Sequence, residues 1–213
     1  MIHGFNLENG RVSYLNKWVR TKKWQLEREA GESLFAIFNP TQNDPRVQGI
    51  ETDGIANTNI VWHGEKLLAL VESSAPFEID PVTLESIGSW NFDGKLVGPM
   101  TAHPKIDPIS GDMYGFSYTA ENFFSSKMSY FVINSLGELK TYEEFEAPFA
   151  SMVHDFMVTD QHIIFPIFPL TIDFDRVVKG QSPIAWDPDK GTHVGVMPRN
   201  GSCLLYTSDA ADE

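Results

Sequence analysis

The sequence predicts an all-β fold, and three observations carry that reading. Turn-forming pairs ending in glycine punctuate it at short intervals, at Asn9-Gly10, His63-Gly64, Asp93-Gly94, Ser110-Gly111, Leu136-Gly137 and Lys190-Gly191. Between them lie short runs that alternate apolar with other residues or are apolar throughout, the patterns of half-buried and fully buried strands. Helical periodicity is weak by comparison. Many short strands with frequent turns make a sandwich, a barrel or a propeller, and the pattern alone leaves all three open. No strict internal repeat is visible, which counts mildly against the most regular propellers.

Taken in order, residues 21–30 form the best helix candidate. Residues 60–62 and 67–71 flank His63-Gly64-Glu65-Lys66 as a hairpin, and 77–80 and 113–118 alternate as strands do. Residues 130–133 are expected to pair with 139–145 across Leu136-Gly137. The continuous apolar run 162–168 suits a buried inner strand, and 172–178 makes one or two helical turns.

Composition narrows the function classes. The chain has 213 residues, 42% hydrophobic and 12% aromatic, enough to bury a sizeable core. A formal net charge of -13 argues against a nucleic-acid partner, which requires a basic footprint; the acidity reads as solubility. No apolar run reaches the 18 or so residues of a membrane span, and no charged-then-apolar leader opens the chain. The single cysteine, Cys203, leaves no disulfide partner and fits a reducing compartment. The expected location is the cytoplasm.

Both ends read as cut. The β pattern stops at Gly201, and residues 203–213 match the translation of a transposase-type sequencing adaptor when read back through ordinary codons. The expected organisation is therefore a native unit over 1–202 and a non-native tail over 203–213, set aside as a cloning scar would be. Asn200-Gly201-Ser202 fits a glycosylation pattern but abuts that junction and is discarded. Met1-Ile2-His3-Gly4-Phe5 reads as an internal segment, so Met1 is expected to be an internal methionine or the start of a partial frame.

Six histidines occur: His3, His63, His103, His154, His162 and His193. There is no HExxH and no close pair, so a metal site would have to be assembled from distant strands. His103 stands in Thr101-Ala102-His103-Pro104-Lys105-Ile106-Asp107-Pro108, where the following proline favours an extended backbone at the histidine. His154 stands in Met152-Val153-His154-Asp155-Phe156, at the start of an apolar strand. Taken singly, each reads more readily as a core or surface histidine than as a ligand. Asp155 reads as a turn anchor. Phe165, Phe168 and Phe174 read first as core and second as the lining of an apolar tunnel.

Taken together and in order, Ala56-Asn57-Thr58, Leu68-Ala69-Leu70-Val71-Glu72, Thr101-Ala102-His103-Pro104-Lys105, His154-Asp155-Phe156 and Val196-Met197-Pro198-Arg199 resemble the carotenoid oxygenase family over nearly all of residues 1–201. That family includes apocarotenoid and lignostilbene cleavage enzymes and a retinoid isomerohydrolase. The resemblance implies roughly three blades of a seven-bladed β-propeller, incomplete at both ends. It implies Fe(II) on the propeller axis held by four histidines, of which His103 and His154 match the first two, and dioxygen as co-substrate. The third and fourth ligands are expected beyond Glu213. Neither His162 nor His193 fits those motifs, and both read as solvated loop or strand-edge residues, while His3 and His63 read as structural.

Glu72 matches a family glutamate that orients a ligating histidine, and Thr58 matches a threonine near a vacant iron position. Their plainer readings are a solvated strand-end charge and an ordinary strand threonine. Lignostilbene-type members tend to carry a lysine, to engage a phenol, where this sequence has Val71; an apocarotenoid or other apolar conjugated alkene is the expected substrate. The implied reaction is cleavage of one carbon–carbon double bond to two carbonyls. The alternatives are a metal-free propeller acting as a binding scaffold and a retinoid-isomerase-like reaction on the same iron. Peripheral membrane contact, if any, belongs to regions outside this chain, and the chain alone is expected to be inactive.

Overall fold

The computed structural model describes residues 1–36 and 42–201, and beyond them the backbone of Leu205–Ser208. Strands β1 (Ile2–Glu8) and β2 (Arg11–Lys17) open the chain as an antiparallel hairpin about Asn9-Gly10. Both turn residues have positive φ, 50° and 72°, as expected of an Asn-Gly turn whose twist matches that of its strands. Helix α1 (Lys22–Ala30) follows where the pattern predicts it. The Thr21 hydroxyl accepts from the Trp24 amide at its start, and Gly31 ends it in the left-handed conformation.

Three four-stranded antiparallel sheets then succeed one another. The first is a meander of β3 (Asn59–His63), β4 (Lys66–Leu70), β5 (Phe77–Ile79) and β6 (Ser86–Ser89). The second repeats the plan with β7 (Lys105–Ile106), β8 (Met113–Ser117), β9 (Lys127–Ile133) and β10 (Leu139–Glu146). The third begins with β11 (Met157–Val158) and β12 (His162–Ile167), then makes an excursion. There β13 (Leu170–Ile172) and β14 (Ile184–Trp186) pair around helix α2 (Phe174–Val178). The sheet resumes with β15 (His193–Pro198) and β16 (Leu205–Ser208). Successive four-stranded meanders are the blades of a propeller, and among the described residues there are three, as expected.

Alternation along the strands explains how the blades pack. In the middle blade Tyr114, Phe116, Met128 and Tyr130 face the third blade, meeting Phe156, Ile163, Phe165 and Ile167. Met113, Phe131 and Ile133 face the other way, meeting Leu68 and Leu70 of the first. A sheet covered on both faces needs apolar residues at nearly every position, and all five residues of β8 are buried. The first blade's remaining face, with Ala69, Phe77 and Ile79, is covered by Ile2 and Val19.

Two contacts lock neighbouring blades at their turns. Gly64 and Gly137 lie so close that a Cβ on Gly64 would stand 2.5 Å from the Gly137 Cα, so Gly64 has no room for a side chain, and both residues have positive φ. Arg199, after β15, pairs with Asp107 and donates to the Tyr114 hydroxyl, while the Tyr130 hydroxyl donates to the Arg199 carbonyl at 2.7 Å.

Among the described residues no helix is long and apolar enough to cross a membrane. Within 203–213, read from the sequence as adaptor, the backbone of 205–208 pairs with 193–196. The rest of that stretch, Cys203 included, lies outside the described residues.

Candidate metal centre

The meander topology gathers the site. Thr58 directly precedes β3, His103 precedes β7 by two residues and His154 precedes β11 by three, so the head of each blade's first strand carries one of them. Second strands return to the same end, where β4 delivers Glu72 and β8 delivers Tyr118.

Nε2 of His103 and Nε2 of His154 face each other at 3.1 Å, 51 residues apart in sequence. Nδ1 of His154 lies 2.5 Å from Oε1 of Glu72. An imidazole that donates from Nδ1 to a carboxylate has its Nε2 lone pair free. Two nitrogens each about 2.1 Å from one ion and at right angles about it stand about 3.0 Å apart. The observed 3.1 Å fits that arrangement, and Glu72, His103 and His154 can together hold a metal. Glu72 spends Oε1 on His154, which leaves the two Nε2 atoms facing each other across the site.

Each histidine is held from behind. The His103 amide donates to Oγ1 of the buried Thr101, whose own amide donates to the Phe116 carbonyl. Asn59 Nδ2 donates to the Ala102 carbonyl at 2.9 Å, tying the head of β3 to that of β7. His154 stands between the buried anchors Val153 and Phe156, although its own ring is 60% exposed. Lys105 and Asp155 join the two histidine segments through an ion pair at 2.8 Å. Burial alone would raise the Asp155 carboxyl; the Lys105 ammonium and the Phe156 amide outweigh it and hold the carboxyl below its ordinary range. Asp155, read from the sequence as a turn anchor, accepts from the Phe156 amide in a stretch that forms no turn, and its pair with Lys105 ties two blades.

Tyr118 was not legible in the sequence. Its hydroxyl donates to Oε2 of Glu72 at 2.9 Å. Burial, and then the adjacent Glu72 charge, push its phenol far above the ordinary value, so it stays a donor. No local motif marks it; the one available signal was its place at the end of a strand that returns to the His103 end.

The other expectations divide. Thr58 is exposed, its amide donating to the Leu70 carbonyl and its hydroxyl to Oδ1 of Asn57. Ala56, two residues earlier, is buried with φ of 44°, a left-handed conformation costly for a residue with a Cβ. Val71 is buried, packed where Gly54 has no side chain. Phe165 is fully buried between two blades, stacked on Phe156, whereas Phe168 and Phe174 are about half exposed, so the three do not share one lining. His63 donates from Nε2 to the Gly111 carbonyl inside the fold; His3 contacts Tyr14, His162 is exposed and His193 contacts Lys190. A cavity of about 480 Å³ opens beside β7 and β11, lined by Lys105, Asp107, Asp155 and Arg199 among others, but by neither histidine.

Fold and site together define a propeller with a group of one glutamate and two histidines that could hold a metal. The family described as RPE65, retinal pigment epithelial membrane protein, matches residues 1–211, and the chain belongs to this family, that of the carotenoid oxygenases. It is 38% identical over 199 residues to an isoeugenol monooxygenase of Pseudomonas putida, covering 92% of this chain and 41% of that protein. It is 38% identical over 201 residues to lignostilbene-alpha,beta-dioxygenase isozyme III of Sphingomonas paucimobilis, covering 93% and 41%. The solved lignostilbene dioxygenase of Pseudomonas brassicacearum superposes with a TM-score of 0.90 at 36% identity, covering 97% of this chain and 43% of that one. The chain thus spans about two fifths of the length of the relatives it matches.

Proposed function

We propose that this chain carries half of the iron-binding histidines of a non-haem Fe(II) dioxygenase that splits a double bond of a conjugated alkene into two carbonyl products. The observation that carries the proposal is the facing pair of Nε2 atoms 3.1 Å apart, with the far side of His154 on a carboxylate. Neutral imidazoles bind Fe(II) without cancelling its charge. When bound, the iron supplies activation of dioxygen beside the alkene.

The chain's own residues supply geometry. Glu72 fixes the His154 tautomer, leaving Nε2 as the donor. Thr101 and Asn59 set the backbone of the His103 segment. Thr58, at the head of the neighbouring blade, is read as limiting what can stand at a vacant iron position. Val71, buried against Gly54, puts no cation where a lysine would engage a phenol, which favours an apolar polyene. A phenolic aryl alkene is the second reading, favoured by the names of the isoeugenol and lignostilbene relatives. The net charge of -13 argues against a nucleic-acid partner, and cytoplasmic location is part of the proposal.

The test is incubation of the full-length gene product with isotopically labelled dioxygen and, separately, an apocarotenoid, a 4-hydroxystilbene and isoeugenol. Two carbonyl products, each carrying one labelled oxygen, support the dioxygenase reading, and the accepted substrate chooses between the two alkene classes. An isomer without aldehydes points instead to the isomerase-like reaction. A protein that folds but retains no metal and converts nothing points to the scaffold.

A further inference from the structure

Three side chains from three blades are joined in series at the site. Tyr118 comes from the second, Glu72 from the first and His154 from the third. The Tyr118 ring packs against the core between the second and third blades, and its hydroxyl leaves that core toward Glu72. We propose that Tyr118 is a positioning residue for the metal centre: its hydroxyl fixes the plane of the Glu72 carboxylate and, through it, the aim of His154. This rests on the reading of His103 and His154 as metal ligands.

The reasoning is one of freedom removed. The terminal torsion of a glutamate is broad, with no sharp staggered minimum. A carboxylate held at Oε1 alone could swing about that bond and carry its hydrogen bond with it. A second bond to Oε2, from a ring locked by packing, removes the swing. The need is greatest at His154, whose ring is 60% exposed and so gains little confinement from its surroundings. Among the described residues no carboxylate hydrogen-bonds the His103 ring; its backbone is set by Thr101 and the neighbouring Asn59.

A plainer role is that a buried phenol needs an acceptor and that Glu72 happens to offer one. That role predicts a loss of stability and nothing else. The molecule contains its own control: Tyr130 is fully buried, and its hydroxyl donates to the Arg199 carbonyl at 2.7 Å, away from the site. Both tyrosines can be changed to phenylalanine with the ring and its packing kept.

The experiment uses the full-length gene product, titrated anaerobically with Co(II) as the probe metal, with visible absorption and thermal unfolding recorded for each variant. Partners that orient metal ligands typically change affinity about 10–100-fold, so Glu72→Gln should weaken Co(II) binding by that order. Tyr118→Phe, one contact further out, should weaken it about three- to tenfold and shift the Co(II) bands. Tyr130→Phe should lower the unfolding temperature with affinity and bands unchanged. Because Tyr118 acts through Glu72, the double variant Tyr118→Phe/Glu72→Gln should bind no more weakly than Glu72→Gln. Unchanged affinity and bands in Tyr118→Phe, or effects that add in full, would overturn the inference. His154→Ala separates the two levels. If it leaves Co(II) binding intact, the ligand reading itself fails; if it abolishes binding while Tyr118→Phe is silent, only the role of Tyr118 fails.

Discussion

Oε1 of Glu72 stands 2.5 Å from Nδ1 of His154, and this contact decides which nitrogen of the ring can face a metal. The two residues lie on different blades, so the tautomer of His154 depends on the packing of the blades against one another. Shortening the carboxylate should therefore act on metal retention before it acts on folding. Glu72→Asp, one methylene shorter, is expected to lose iron on dialysis while its unfolding temperature stays near that of the parent. Metal analysis after dialysis, alongside a thermal melt, checks this; full iron retention by Glu72→Asp would mean that His154 is oriented by something else.

The Arg199–Asp107 pair gives a pH dependence with a definite sign. The Arg199 guanidinium, with the Ile109 and Ser110 amides, holds the Asp107 carboxyl down at about 2. An ordinary aspartate titrates near 3.9. Its folded value being the lower, the pair's stabilisation is complete above about pH 4 and is lost as pH falls toward 2. Unfolding temperatures of the parent and of Asp107→Asn should thus differ at neutral pH and converge near pH 2. A difference that stays constant across that window contradicts the assignment.

Gly115 lies opposite Phe131 in the β8–β9 register, and a Cβ there would stand 2.3 Å from the Phe131 ring. Overpacking of this kind costs about 1–3 kcal/mol. Gly115→Ala is expected to lower stability by that order, measured by denaturant unfolding of the full-length product. A neutral substitution would show that the ring can move aside.

Phe165 and Phe174 were read together in the sequence and separate in the structure. Phe165→Ala removes a fully buried ring and should cost about 3–5 kcal/mol. Phe174→Ala removes a half-exposed ring that meets Phe124 edge-on, and about 1 kcal/mol or less is expected. Equal effects on stability would place both in the same environment.

That separation shows where sequence reading reaches its limit. Blade strands declared themselves because glycine turns and alternation are local, as in the hairpin about His63-Gly64 and the pairing of β9 with β10. The first strands β7 and β11 are two residues long, too short for any periodicity to mark. His103 and His154 emerged from the resemblance of their segments, since nothing within either stretch points to a partner 51 residues away. Tyr118 and the Lys105–Asp155 tie stayed hidden for the same physical reason: both join side chains from different blades, and only the packing of blade on blade brings them together.

Iron stoichiometry of the full-length gene product, purified without oxygen beside His103→Ala and His154→Ala, tests the central claim most directly. One iron per chain in the parent, and its loss from each folded variant, is the result expected from two Nε2 atoms converging on one ion. Iron kept at parental stoichiometry by both variants would contradict it, leaving the pair as two neighbouring surface imidazoles.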